Sequence, residues 1–266
     1  GDNWTRAKEV GIAPIIAVPT TAGTGSEVGR VSVITDTAAM RKRLIFHPKI
    51  LPSLVILDPE LTLSLPPHLT AATGMDALSH NLEAYCSPRF HPMADGIATE
   101  GIRQIERYLA RAVHDGNDLE ARTHLLVAST MGATAFQKGL GAMHALAHPL
   151  GARYDAHHGL LNAILMPYVL HANRSALDTK LQSLARALDL ANPGFDSFLK
   201  WVLALRTEIG IPPCLRDIGI DTSEADFIGE RAAEDTPAAT NPISFTALQY
   251  SALFRNAVDG EFHDVT

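Results

Sequence analysis

Asp76 and His80 lie four residues apart in "GMDALSHNLEAY" (74–85), and His144 and His148 repeat that spacing in "GAMHALAHPLGARYDAHHG" (141–159). Residues i and i+4 share one helix face, so each pair turns two polar side chains the same way out of a background rich in Ala, Leu and Met. Buried imidazoles and carboxylates need partners. Four of the twelve histidines fall in the second stretch, where His157 and His158 follow a polar break. One carboxylate and several imidazoles turned inward from separate helices form an oxygen and nitrogen ligand set suited to a divalent first-row metal such as Fe(II) or Zn(II). Taken singly, each residue also has a structural reading. Asp76 fits a cap or a salt bridge, His80 fits a satisfied core histidine, and at most one of the adjacent His157 and His158 is expected to point inward. The remaining histidines (His47, His68, His91, His114, His124, His171 and His263) lack such company and are read as structural or surface residues.

A third stretch, "PTTAGTGSE" (19–27), follows a β-rich run. Its small residues and hydroxyls let backbone N–H groups and Thr oxygens approach a phosphate or a ribose closely. The same string fits an ordinary glycine-rich turn. It is neither GxGxxG nor a P-loop, since no Lys follows the glycines.

The elements that must carry these residues divide the chain in two. Short β-rich runs separated by turn signals occupy 14–21, 30–36, 43–48 and 53–58. After "LPPHLT" the pattern becomes Ala- and Leu-rich and helical, broken by Gly, Pro and Asn, over 67–86, 92–113, 117–138, 141–153, 158–173, 175–189, 194–209, 223–234 and 244–258. The composition shift sets the expected boundary: an α/β module over residues 1–65, then an all-α domain over 66–266. No internal repeat or low-complexity tract is visible.

The bulk properties narrow the function. With 266 residues, 46% of them hydrophobic, the chain can bury a large core. A net charge of -7 with scattered Lys and Arg offers no basic face, so nucleic acid is not an expected partner. No apolar run reaches transmembrane length, and no membrane partner is expected. Two cysteines are too few for a disulfide framework, and the cytoplasm is the expected compartment.

In order along the chain, "PTTAGTGSE", "LPSLVILDPELTLSLPPHLTAATGMDALSHNLEAY", "GLGAMHALAHPLGARYDAHHG" and the late "TNP" (240–242) resemble the iron-containing, or group III, alcohol dehydrogenases. The resemblance implies an N-terminal α/β dinucleotide-binding domain followed by an all-α metal domain, the dehydroquinate synthase-like architecture. It implies Asp76, His80, His144 and His158 as metal ligands, with His148 as a non-ligand histidine of the active site. Thr20 and Thr21, with Gly23, Thr24 and Gly25 shaping the turn, and Lys42 correspond to cofactor contacts for NAD or NADP. Glu83, seven residues beyond Asp76, is an expected acceptor for a ligand imidazole. The implied activity is hydride transfer between NAD(P) and an alcohol or its aldehyde or ketone, by a homodimer or larger assembly. The family's Gly-Gly-Gly-Ser phosphate loop and the acidic residue that helps choose NAD over NADP are expected before Gly1. The chain alone is therefore expected to hold the dinucleotide poorly.

Three other readings stay open on sequence grounds. Maleylacetate reductases typically carry Asn where this chain has Asp76, which favours the alcohol branch. A helical metal-dependent hydrolase would activate water with the same ligand types and would not need "PTTAGTGSE". A metal-binding domain without redox activity is the third.

Overall fold

The β-rich opening segment folds into two small sheets in the computed structural model, which describes residues 11–37 and 41–265 and, at Arg41 and Lys42, the backbone alone. β1 (Ile16–Ala17) pairs in parallel with β4 (Leu54–Val55), while β2 (Val31–Asp36) and β3 (Arg41–Phe46) form an antiparallel hairpin with Val31 opposite Phe46. The runs at 14–21 and 53–58 thus yield strands of two residues each, shorter than their β-rich patterns suggest. A parallel pair is stable when both faces are covered. Here Ile16, Val18, Leu54 and Ile56 remain exposed among the described residues.

From Pro67 onward every long element is a helix: α1 (Pro67–Cys86), α2 (Pro92–His114), α3 (Leu119–Ala135), α4 (Ala142–Tyr154), α5 (His158–Ala172), α6 (Arg174–Ala187), α7 (Phe195–Glu208), α8 (Ala225–Glu234) and α9 (Ala247–Asp259). The starts follow from local chemistry. Pro67 and Pro92 occupy first-turn positions that need no N–H donor, and Asp118 and Thr246 accept backbone N–H bonds at the heads of α3 and α9. The helical run expected over 117–138 ends at Ala135, and its last turn tightens to a 3-10 turn over Phe136–Lys138. Gly139, at φ 143°, then takes a backbone shape that other residues rarely adopt.

α1 lies at the centre, buried along nearly its whole length and packed against α2, α3 and α5. Apolar residues on all sides of a helix mark this kind of burial. α4 rests on α5 and α8, α8 on α9, and α6 on α7. Some polar residues of α1 serve the packing: Asn81 donates to the Ala77 carbonyl at 2.8 Å and to Ala128 of α3 at 3.1 Å. Asp76, His80 and Glu83 are also buried in α1, with Glu83 partnered from α4 and Asp76 from α5. Among the described residues no helix is long and apolar enough to cross a membrane.

Candidate metal centre

Three helices bring the chemistry together. On α1, Asp76 and His80 lie one turn apart and are 4% exposed. With His144 of α4 they place one potential ligand atom each within 4.8 Å of one another. The His80 and His144 rings stack at 4.8 Å between centroids, and the His144 and His158 rings stand 5.3 Å apart. His158, in the first turn of α5, brings Nε2 to 3.8 Å from Asp76 Oδ1 but lies on the more open side, its side chain 40% exposed. Its neighbour His157 turns outward, and its Nδ1 accepts the Leu160 N–H at the head of α5. The adjacent pair is thereby resolved: one caps the helix and the other faces the site.

The approach of α5 to α1 depends on Gly159. A Cβ at that position would lie 2.5 Å from the Ala72 carbonyl oxygen and 3.1 Å from Asp76 Cβ. Any larger residue would push His158 away from Asp76.

α4 is fixed from its N-terminus. Helix ends leave backbone N–H groups without intrahelical partners. Here Glu83 accepts from Gly141 N at 2.8 Å and Met143 N at 2.7 Å, and Asn241 Oδ1 accepts from Ala142 N at 3.0 Å. The same Glu83 carboxylate lies 2.7 Å from His144 Nδ1. That contact holds the Nδ1 proton of a neutral His144, leaving the Nε2 lone pair free to accept. "TNP" therefore has a local role: Asn241 also donates to Asn173 at 2.8 Å and to the Ile243 carbonyl at 2.7 Å, tying α4 to the segment before α9.

Burial drives the electrostatics. Desolvation holds His144 well below the ordinary imidazole range, and the neighbouring His80 and His158 push it the same way. Burial raises the Glu83 carboxyl to about 7, against the opposing pull of the Gly141 and Met143 N–H groups. At Asp76 burial acts upward, but His80, His158, His144 and the Asn162 hydrogen bond outweigh it and leave the carboxyl below its usual value.

The fit to a cation is tested by the donor set itself. Asp76, His80 and His144 each bring one potential ligand atom within 4.8 Å of the others, and a buried carboxylate and imidazoles gathered this closely are an oxygen and nitrogen donor set with room for a cation between them. The donor types and their convergence fit a divalent first-row metal.

His148, one turn beyond His144, is not in the mutual group of three. Its ring stacks on His158 at 5.6 Å, and its Nδ1 lies 3.0 Å from Asp235 Oδ1, just beyond α8. The "PTTAGTGSE" loop is wedged against α1 and α3. A Cβ on Gly23 would meet Thr73 at 2.9 Å, and Gly25, at φ 63°, would meet the Ser129 carbonyl oxygen at 2.6 Å. Thr73 precedes Asp76 by three residues, about one helical turn. Thr20 and Thr24 are exposed at the loop surface, Thr21 is half-buried, and buried Glu27 accepts from Thr130 of α3 at 2.6 Å. Lys42 lies on β3, with its side chain outside the described residues.

Sequence reasoning missed Asn162, Asp235 and the role of Glu27. Asn162 carried a signal, the i+4 spacing from His158. Asp235 carried none, because nothing local marks the end of α8 as the neighbour of His148.

The family model described as "Fe-containing alcohol dehydrogenase family, C-terminal" matches residues 70–258, and "Iron-containing alcohol dehydrogenase" matches residues 3–59. The chain is 41% identical over 256 residues to 4-hydroxybutyrate dehydrogenase of Cupriavidus necator, covering 92% of this chain and 66% of that protein. Its fold matches the crystal structure of a 1,3-propanediol oxidoreductase with a TM-score of 0.88 at 40% identity, over 92% of this chain and 66% of the other. It also matches sulfoacetaldehyde reductase from Bifidobacterium kashiwanohense, solved in complex with NAD+, with a TM-score of 0.84 at 31% identity, over 92% and 64% of the two chains. The chain spans about two thirds of the length of these relatives. The architecture is the one the resemblance implies, strands of an α/β domain followed by an all-α domain.

Proposed function

The chain belongs to the iron-containing alcohol dehydrogenases, and from that premise we propose that it carries the metal centre of an NAD(P)-dependent enzyme moving a hydride between a nicotinamide and an alcohol or its carbonyl partner. The observation that carries this reading is the convergence of Asp76, His80 and His144, with His158 at the open edge. We assign these four residues as the ligands. A divalent cation held there supplies Lewis acidity toward a substrate oxygen, a task open to Fe(II) and Zn(II) alike.

The chain's own residues do the rest. Glu83 fixes the tautomer and direction of His144. His148 is assigned as the catalytic histidine that exchanges a proton with the substrate oxygen. Asp235 accepts the Nδ1 proton of His148 and leaves Nε2 for that exchange. Thr20, Thr21, Gly23, Thr24, Gly25 and Lys42 are the proposed cofactor contacts. The packing of Gly23 on Thr73, a turn from Asp76, supports bringing the nicotinamide beside the metal.

We divide the chain at residue 65; the end of β4 at Val55 and the start of α1 at Pro67 support that division. The apolar side chains of Val33, Ile34 and Phe46, about half exposed, support a homodimer or larger assembly through the hairpin. The free thiols of Cys86 and Cys214 support a cytoplasmic assignment.

Elemental analysis of the protein and of single alanine variants at the four ligand positions, after dialysis against a chelator, tests the metal assignment. Each variant should lose metal that the parent retains. Full metal content in all four would overturn it. NAD(P)H titration of the same protein, and hydrolysis assays without nucleotide, separate a dehydrogenase from a hydrolase.

A further inference from the structure

Asn162 lies one turn beyond His158 on α5 and is completely buried. Its amide nitrogen stands 2.8 Å from Asp76 Oδ1, 3.1 Å from His158 Nε2 and 3.3 Å from His144 Nε2. One NH2 group thus faces acceptor atoms from three helices. Among the described residues its Oδ1 has no partner, and the two ends are not interchangeable. Turned around, the amide oxygen would confront a carboxylate oxygen at hydrogen-bond distance with no proton between them. The Glu83 contact already requires His144 Nε2 to be an acceptor, which matches a donor on Asn162.

We propose that Asn162 is a positioning residue that stands in for the cation when the centre is empty: its amide hydrogens occupy the lone pairs that a metal would otherwise take. The inference rests on the metal-centre reading above. Without this donor, the buried Asp76 carboxylate and the buried His144 lone pair would lose the N–H group they share, and unpaired buried acceptors are costly. The amide has two N–H bonds for three acceptors, so it satisfies them in part. Its nitrogen lone pair is delocalised into the carbonyl and does not ligate. Asn162 therefore keeps the ligands gathered without competing as a ligand itself. The partner-free Oδ1 is the cost of aiming the nitrogen inward.

The test compares thermal unfolding of the metal-free and Zn(II)-saturated chain for wild type, Asn162→Ala and Asn162→Asp. A wild-type Tm that does not respond to Zn(II) sinks the metal-centre reading itself. Given that response, Asn162→Ala should lower the metal-free Tm by about 3–10 °C and the Zn(II)-saturated Tm by much less, so the Zn(II)-induced shift widens. Asn162→Asp keeps the shape but sets a second carboxylate beside Asp76. It should lower the metal-free Tm further, with Zn(II) restoring it. Folding only in the presence of Zn(II) is the extreme of the same result. Equal losses in both states, or failure of both variants to fold in either, would mean that Asn162 only packs and would overturn the proposal while leaving the metal reading intact. The visible d–d bands of the Co(II)-substituted protein supply a second readout. Asn162→Ala should keep the wild-type bands, because the ligands are unchanged; shifted bands would make Asn162 a ligand and overturn its role as placeholder.

Discussion

His148 stands one turn from His144, yet its Nδ1 is engaged by Asp235 at 3.0 Å and its ring lies on His158 rather than within the group formed by Asp76, His80 and His144. That arrangement is the basis of the proposed division between holding the metal and moving the proton. His148→Ala is expected to retain metal by elemental analysis and to lower turnover by about 10²- to 10⁴-fold, the usual effect of losing a proton-transfer group. Metal loss in that variant would instead make His148 a ligand. Asp235→Asn tests the partner. An amide can present its own N–H to Nδ1 and so favour the other tautomer, and steady-state kinetics should show turnover falling while metal content stays at the parent level. A fall in metal content would show that Asp235 supports the ligands rather than the proton path.

Helix registration decides whether these side chains meet, and α4 and α5 obtain it in different ways. α4 is docked through the buried backbone N–H groups at its head, which lack intrahelical partners, with Glu83 taking Gly141 and Met143 and Asn241 taking Ala142. Glu83→Ala removes both of those bonds and the His144 partner together. It is expected to cost about 1–3 kcal/mol of stability, the penalty of leaving buried donors unsatisfied, and to weaken metal binding about 10- to 100-fold, as loss of a partner to a ligand imidazole does. Denaturant unfolding and a competitive chelator titration measure the two effects separately; unchanged metal affinity would sever Glu83 from the site. α5 is docked by absence, since Gly159 lets its backbone reach Ala72. Gly159→Ala forces a Cβ to 2.5 Å from a carbonyl oxygen that cannot move without moving α1. The expected result is about 1–3 kcal/mol of destabilisation from overpacking and weaker metal binding, because His158 retreats from Asp76. Binding equal to that of the parent would mean that the two helices tolerate separation.

At the scale of the whole molecule, the proposed ligands come from α1, α4 and α5, so a metal held by them would cross-link three helices of the bundle. A cation that binds only the folded chain stabilises it by RT ln(1 + [L]/Kd), about 4 kcal/mol at a thousandfold excess over Kd. Calorimetry with and without a strong chelator should therefore show a Tm about 10 °C lower after metal removal; an unchanged Tm would mean that the centre is not a folding element. Much of this organisation was legible in the residue order. Helical periodicity marked α1 to α9, because apolar faces and capping residues are local signals, and the paired i, i+4 spacings marked Asp76 with His80 and His144 with His148 as side chains sharing a face. What the order left open was distance across the chain. Nothing local says that Glu83 reaches the head of α4 58 residues away, that Asp235 meets His148 across 87, or that Asn162 stands among Asp76, His144 and His158. Nor could spacing decide between His157 and His158; the N-cap geometry of α5 turned one outward and the Gly159 contact brought the other in. The β-rich runs show the converse limit: their composition favours strands, but strand length is set by a pairing partner, and β1 and β4 pair over only two residues. Periodicity is a property of neighbours in sequence, so it fixes which way side chains face; docking of buried backbone groups and close helix contacts is a property of the assembled chain, and it alone decides which of those side chains meet.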